Sequence, residues 1–205
     1  MVKERIIEAA KELFQQTGLK NTTMDDIARQ AGISKRTIYE NFKDKEEILI
    51  ACIELHIAEN KRFAKTVFDK SDNVLEGTLS LLKKGNEQMQ KHQFLLTDEI
   101  KRYYPAVHKS LVMCRSEEKV KEMEKFVKQG MSEGIFREDL NPEIVAVLFH
   151  RQAEGIGLND QNLDRFSVME VFENMILSYL RGLCTPKGLE ILDKALAKTQ
   201  FIQKN

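Results

Sequence analysis

Apolar residues recur along almost the whole chain at helical spacing, and no segment alternates as a half-buried strand would. Ile6, Ala9, Ala10, Leu13 and Phe14 open the pattern, a stripe that lies on one face of a helix. About ten helices are predicted, over 3–17, 23–30, 35–42, 45–69, 72–91, 93–103, 105–132, 142–157, 167–183 and 186–200. Short polar joints such as Asp69-Lys70-Ser71-Asp72 and Asn159-Asp160-Gln161-Asn162 separate them. The three prolines, at 105, 142 and 186, read as helix starts; Asn141 and Thr185 stand before two of them as N-caps. The expected fold class is all-α.

The stretch 22–45 is the most informative. Thr23 is an N-cap with Asp26 three residues on, a variant of the capping box, and Met24, Ile27, Ala28 and Ala31 form the apolar face behind it. Gly32 stands where the chain must leave one helix sharply, and glycine takes the left-handed conformation that such an exit requires. Ile33 can anchor the turn, and Ser34 caps a third, short helix held down by Ile38 and Phe42. The rest of that helix carries Lys35, Arg36, Thr37, Tyr39 and Glu40, a face rich in hydrogen-bonding groups. Asp44 and Glu47 start the fourth helix. The spacing is that of a DNA-reading helix-turn-helix; a purely structural three-helix subdomain is the alternative reading of the same residues.

Composition changes this picture little. The chain has 205 residues, 42% hydrophobic and 31% charged, so disorder is not expected. It carries 32 basic and 32 acidic residues, and the first fifty hold nine of each, so charge alone does not point to nucleic acid. Only locally, between 34 and 45, do four basic residues face two acidic ones. No run approaches the roughly 18 apolar residues of a membrane span, and the charged N-terminus is unlike a secretory signal. Cytoplasmic location and no membrane partner are expected. Cys52, Cys114 and Cys184 are too far apart for a metal motif and read as free thiols. His56, His92, His108 and His150 are scattered, with no bundle-type metal spacing. Gly155-Ile156-Gly157 lacks the third glycine of a dinucleotide loop. The expectation is no enzyme, no metal and no cofactor.

The run Thr22-Thr23-Met24-Asp25-Asp26-Ile27-Ala28-Arg29-Gln30-Ala31-Gly32-Ile33-Ser34, continuing through Thr37-Ile38-Tyr39, Phe42 and Lys45-Glu46, resembles the DNA-binding domain of the TetR family of bacterial transcriptional regulators. The likeness covers about the first fifty residues, with a local echo in Gly134-Ile135-Phe136-Arg137 before Asn141-Pro142. Arg36 departs from the pattern, since many members have glycine there, so the base contacts should differ. The resemblance implies a DNA-binding domain over 1–46 and a helical effector-binding and dimerisation domain over 47–205. It implies a sequence-specific regulator, a repressor on a palindromic operator, whose partners are double-stranded DNA, a second copy of itself and an unknown apolar small-molecule effector. A helical module that associates with DNA or protein without sequence choice is the rival reading.

If the third helix enters the major groove, Arg36 is the first candidate for a base edge, since a guanidinium pairs bidentately with guanine. Lys35 and Thr37 come next, and Asn41 completes the polar set. Thr23 and Ser34 offer hydroxyls toward phosphates besides capping. Tyr39 and Lys45 resemble the family tyrosine and lysine that contact the backbone. Farther on, ten of the sixteen residues in 168–183 are apolar, more than one buried stripe needs. The resemblance implies that this helix and the one around Phe149 pair with their copies, with Phe149, Ile156, Val168, Phe172, Met175 and Tyr179 at the interface. Met89, Phe94, Tyr103, Tyr104, His108, Met113 and Phe126 are the candidates for lining an effector pocket; simple core is the alternative for each.

Overall fold

A computed structural model describes residues 1–89, 98–109, 116–155 and 165–199. These residues form eleven helices: α1 (Val2–Asn21), α2 (Met24–Gln30), α3 (Lys35–Asn41), α4 (Lys45–Phe68), α5 (Val74–Met89), α6 (Asp98–Tyr103), α7 (Pro105–Val107), α8 (Ser116–Ser132), α9 (Pro142–Gly155), α10 (Val168–Leu183) and α11 (Pro186–Thr199). The all-α expectation holds; the one β-feature among them is an isolated bridge between Phe136 and Cys184. The helix expected over 105–132 is represented by α7 and α8, and 110–115 lie outside the described residues. The start expected at 72 falls later, because Asn73 caps α5 by accepting from the Glu76 N–H at 3.0 Å.

The chain divides into two compact units: Met1–Phe63 with Glu87–Arg115, and Ala64–Asn86 with Ser116–Asn205. In the first, Ile6, Ala10 and Phe14 of α1 meet Ile27 of α2, Ile38 of α3, and Ile48 and Leu49 of α4, with Ile100 of α6 and Val107 of α7 in the same cluster. Burying this apolar surface is what holds the short α2 and α3 in place, since helices of seven residues are not stable alone.

The end of α1 is tied by side chains from two other helices. Gly18 takes φ +80° and interrupts α1 before its last residues. The freed Leu19 N–H donates to the Glu99 carboxylate of α6 at 2.8 Å, and the Leu19 carbonyl accepts from the Lys45 ammonium of α4 at 2.6 Å.

In the second unit, Leu75 and Leu79 of α5, Val127 of α8, Ile176 and Leu180 of α10 and Leu192 of α11 surround the fully buried Phe136. The Phe126 ring meets Phe136 at a tilt, centroids 5.4 Å apart, and Phe68 edge to face at 6.4 Å. A Cβ on Gly130 would lie 2.1 Å from the Phe136 ring, so α8 admits that ring only where it carries a glycine. Thr185 and Asn141 cap α11 and α9 as expected, accepting from the Gly188 N–H at 3.1 Å and the Ile144 N–H at 3.2 Å.

Candidate nucleic-acid interface

The segment from Thr23 to Phe42 is built from two caps and a turn. Thr23 Oγ1 accepts from the Asp26 N–H at 3.2 Å while the Thr23 N–H donates back to Asp26 Oδ2 at 3.1 Å, closing the expected box. The Thr23 hydroxyl also donates to Asp26 Oδ2 at 2.6 Å, and this bond first, then the one from the Thr23 N–H, holds the Asp26 carboxyl below its ordinary value. At the other end of α2, Gly32 has φ +63°; its N–H bonds to the Arg29 carbonyl at 3.1 Å and the Ile33 N–H to the Ala28 carbonyl at 3.0 Å. This is a Schellman turn, and Arg5 Nη2 adds a third bond by donating to the Ala31 carbonyl at 2.6 Å. Ser34 then starts α3 by accepting from the Thr37 N–H at 3.0 Å.

Ile38, fully buried, fixes the roll of α3. At about 100° per residue, Arg36 and Glu40 then lie about 160° around the helix on either side of the point opposite Ile38. They form its outermost ridge, flanked by Lys35 and Tyr39 on one side and Thr37 and Asn41 on the other. Arg36 Nε donates to Glu40 Oε1 at 2.8 Å, and the Arg36 side chain is 88% exposed. Lys35 bridges to Asp25 of α2 at 2.8 Å, and that carboxylate raises its ammonium above the ordinary value. Tyr39 is 48% exposed. Thr37 shares a hydrogen bond with the Ser34 hydroxyl at 2.8 Å, and Asn41 Nδ2 donates to the Thr37 carbonyl at 2.8 Å.

The first turn of α3 holds no acid, and its first two residues are cations. Positive charge at a helix N-terminus opposes the macrodipole, so this arrangement costs helix stability. The helix is held by its caps and the buried Ile38, and its two leading cations are met by Asp25 and Glu40.

Lys45 is less available than its neighbours. Its ammonium donates to the carbonyls of Leu19 at 2.6 Å and Thr22 at 2.7 Å, and partial burial lowers its proton affinity despite the nearby Glu99. One of its three N–H groups remains for an outside acceptor. Arg5, Asp25, Glu40 and Glu99 were not singled out as site residues in the sequence. The Arg36–Glu40 pair is legible as an i, i+4 spacing; the other contacts cross between elements and leave no local signal.

Of the residues assigned to an effector, Tyr103, Tyr104 and His108 lie in the first unit and Phe126 in the second. Tyr103 is exposed, with the Lys20 ammonium 5.8 Å and the Arg102 guanidinium 5.6 Å from its ring. Tyr104 is half-buried against the first core, and Phe126 packs on the second. Phe94 and Met113, and the side chain of Met89, lie outside the described residues. Of the residues assigned to a dimer interface, Phe149 and Tyr179 pack edge to face at 5.2 Å and Phe172 is half-buried. Met175 is buried in its own unit, while Ile156 and the side chain of Val168 lie outside the described residues. Ile144 and Leu148, one turn apart on α9, are exposed at 57% and 52%. Among the described residues, no helix is long and apolar enough to cross a membrane, and no cluster of three or more His, Cys, Asp or Glu is placed to hold a metal.

A capped short helix set behind a Schellman turn, with a polar face left outside the core, is a helix-turn-helix. The sequence model described as "Bacterial regulatory proteins, tetR family" matches residues 6–52. The transcriptional repressor KstR2 of Mycobacterium tuberculosis is 28% identical over 143 residues, covering 68% of this chain and 72% of that protein. The uncharacterised regulator YvaF of Bacillus subtilis is 32% identical over 102 residues, 49% of this chain and 53% of that one. A transcriptional regulator from Cytophaga hutchinsonii shares the fold at a TM-score of 0.72 and 20% identity, over 89% of this chain and 98% of that one. Residues 6–52 thus belong to the TetR family of DNA-binding domains, and the chain as a whole is similar to regulators of that family.

Proposed function

We propose that the protein is a repressor that grips an approximately palindromic operator as a homodimer and is modulated by a small apolar effector. The observation that carries this reading is the outermost ridge of α3, where Arg36 stands opposite the buried Ile38 and free of the core. Arg36 reads a base edge, while Lys35, Tyr39 and the remaining N–H of Lys45 face phosphates. Repression is supported by the name of the KstR2 relatives. The homodimer is supported by the exposed Ile144 and Leu148 on α9, an apolar surface that a second copy would cover. A two-fold pair of heads would require a two-fold operator. An effector is supported by structural neighbours described as a gamma-butyrolactone receptor and as a ketosteroid transcriptional regulator. The reading assigns no catalysis and no cofactor, and places the protein in the cytoplasm with its DNA.

Selection of the full-length protein against a random duplex pool tests this directly. A recovered palindrome whose half-sites lie about one helical turn apart, or a multiple of it, is expected. Sedimentation of the protein, free and bound, should give a dimer. A second reading, a helical interaction module, draws on the neutralisation of Lys35 and Arg36 by Asp25 and Glu40. It predicts no enriched sequence at all.

A further inference from the structure

We propose that Glu40 is a specificity-determining positioning residue, holding the Arg36 guanidinium so that its Nη pair faces one guanine. This rests on α3 being the base-reading helix.

The pair is poorly placed to stabilise α3. Arginine precedes the acid at i, i+4, the weaker order for a helical ion pair, and each charge opposes the dipole at its own end. Both side chains are well exposed, at 88% and 55%, where an ion pair contributes little to folding. What the contact does fix is direction. With Nε donating to Glu40 Oε1 at 2.8 Å, the guanidinium plane is set and its two Nη groups are left to point away from the carboxylate. Two parallel N–H donors on one edge match the O6 and N7 acceptors of guanine in the major groove. A free arginine loses rotamer freedom to achieve the same alignment, and water excluded at a groove strengthens the pair that spares it that loss. Position agrees: Arg36 lies in the first turn, where a recognition helix reaches base edges, and Glu40 stands one turn farther on, on the same ridge.

The test uses full-length protein and duplexes from the random-pool selection, altered at single base pairs. Wild type should prefer guanine at one position of each half-site, and Arg36→Ala should lose that preference. Glu40→Ala should reduce the preference at the same base pair by about tenfold. Glu40→Gln, whose amide oxygen still accepts from Nε, should keep most of it. In the Arg36→Ala background, Glu40→Ala should change nothing further, the mark of one residue acting through another. The proposal is overturned if Glu40→Ala leaves the guanine preference intact, if the loss falls at a different base pair, or if it persists without Arg36. The last two results would make Glu40 a direct reader of cytosine N4. A wild type that enriches no sequence would overturn the regulator reading itself.

Discussion

Two helices of this protein end in the same way, and the chain then does opposite things. α2 stops at Gly32 and α8 at Gly134, with φ of +63° and +69°. Each turn closes with the same two backbone bonds; the Ile135 N–H reaches the Gly130 carbonyl at 2.9 Å just as Ile33 reaches Ala28 at 3.0 Å. In each, a distant cation takes the carbonyl just before the glycine, Arg5 on Ala31 and Lys187 on Glu133. After Ile33 the chain caps a helix whose polar face is left outside. After Ile135 it buries Phe136 completely and pairs it with Cys184. Turn chemistry therefore decides where a helix stops, and the apolar residues that follow decide what the next segment is for.

The largest effect expected is from Phe136→Ala, about 3–5 kcal/mol of stability. The two cores carry their own reporters. Burial pushes the Cys52 thiol up to about 12 and the Cys184 thiol to about 11, so neither should react with a thiol reagent at pH 8 while folded. Phe136→Ala should expose Cys184 to labelling, followed by mass spectrometry of its peptide, well before Cys52; equal acceleration of both would show that the two regions unfold as one. Ile38→Ala should cost about 2–5 kcal/mol and abolish specific DNA binding, since it frees the roll of α3. Next come the glycines. Gly32→Ala and Gly134→Ala should each cost about 1–2 kcal/mol in urea unfolding, the strain of a left-handed alanine. At equal folded fraction only Gly32→Ala should weaken operator binding; a matching loss in Gly134→Ala would break the contrast.

Smaller still are the caps. Ser34→Ala and Thr185→Ala should each cost about 1 kcal/mol, the first with loss of DNA affinity and the second without. Acid should loosen the start of α2 before it touches the cores. Asp26 titrates below the ordinary 3.8, so its contribution is present above that pH and disappears as pH falls through the depressed value. Carboxyl NMR titration should show this depression, and Thr23→Ala should remove most of it.

Helix positions, the Schellman glycine and the caps at 23, 34, 141 and 185 are legible in the sequence because each is decided within a few residues. The partners of Arg5, Lys35 and Lys45 are not, since each reaches an atom ten or more residues away that only packing brings close. Lys45 shows the difference plainly: resemblance gives it a phosphate, while its environment gives it the carbonyls of Leu19 near the end of α1 and of Thr22 just after it. Tyr103 is another case, a pocket candidate by residue type alone whose exposed ring lies near Lys20 and Arg102.

The bond from the Leu19 N–H to Glu99 spans 80 positions of chain. On a ribosome adding about 5–20 residues each second, the first forty-odd residues emerge several seconds before their last hydrogen-bond partner is made. Until then Leu19 has a broken helix on one side and an unanswered donor on the other. The reading head is thus finished only when α6 arrives, and a fragment ending at Glu46 would keep the recognition helix while lacking the carboxylate that closes the end of α1.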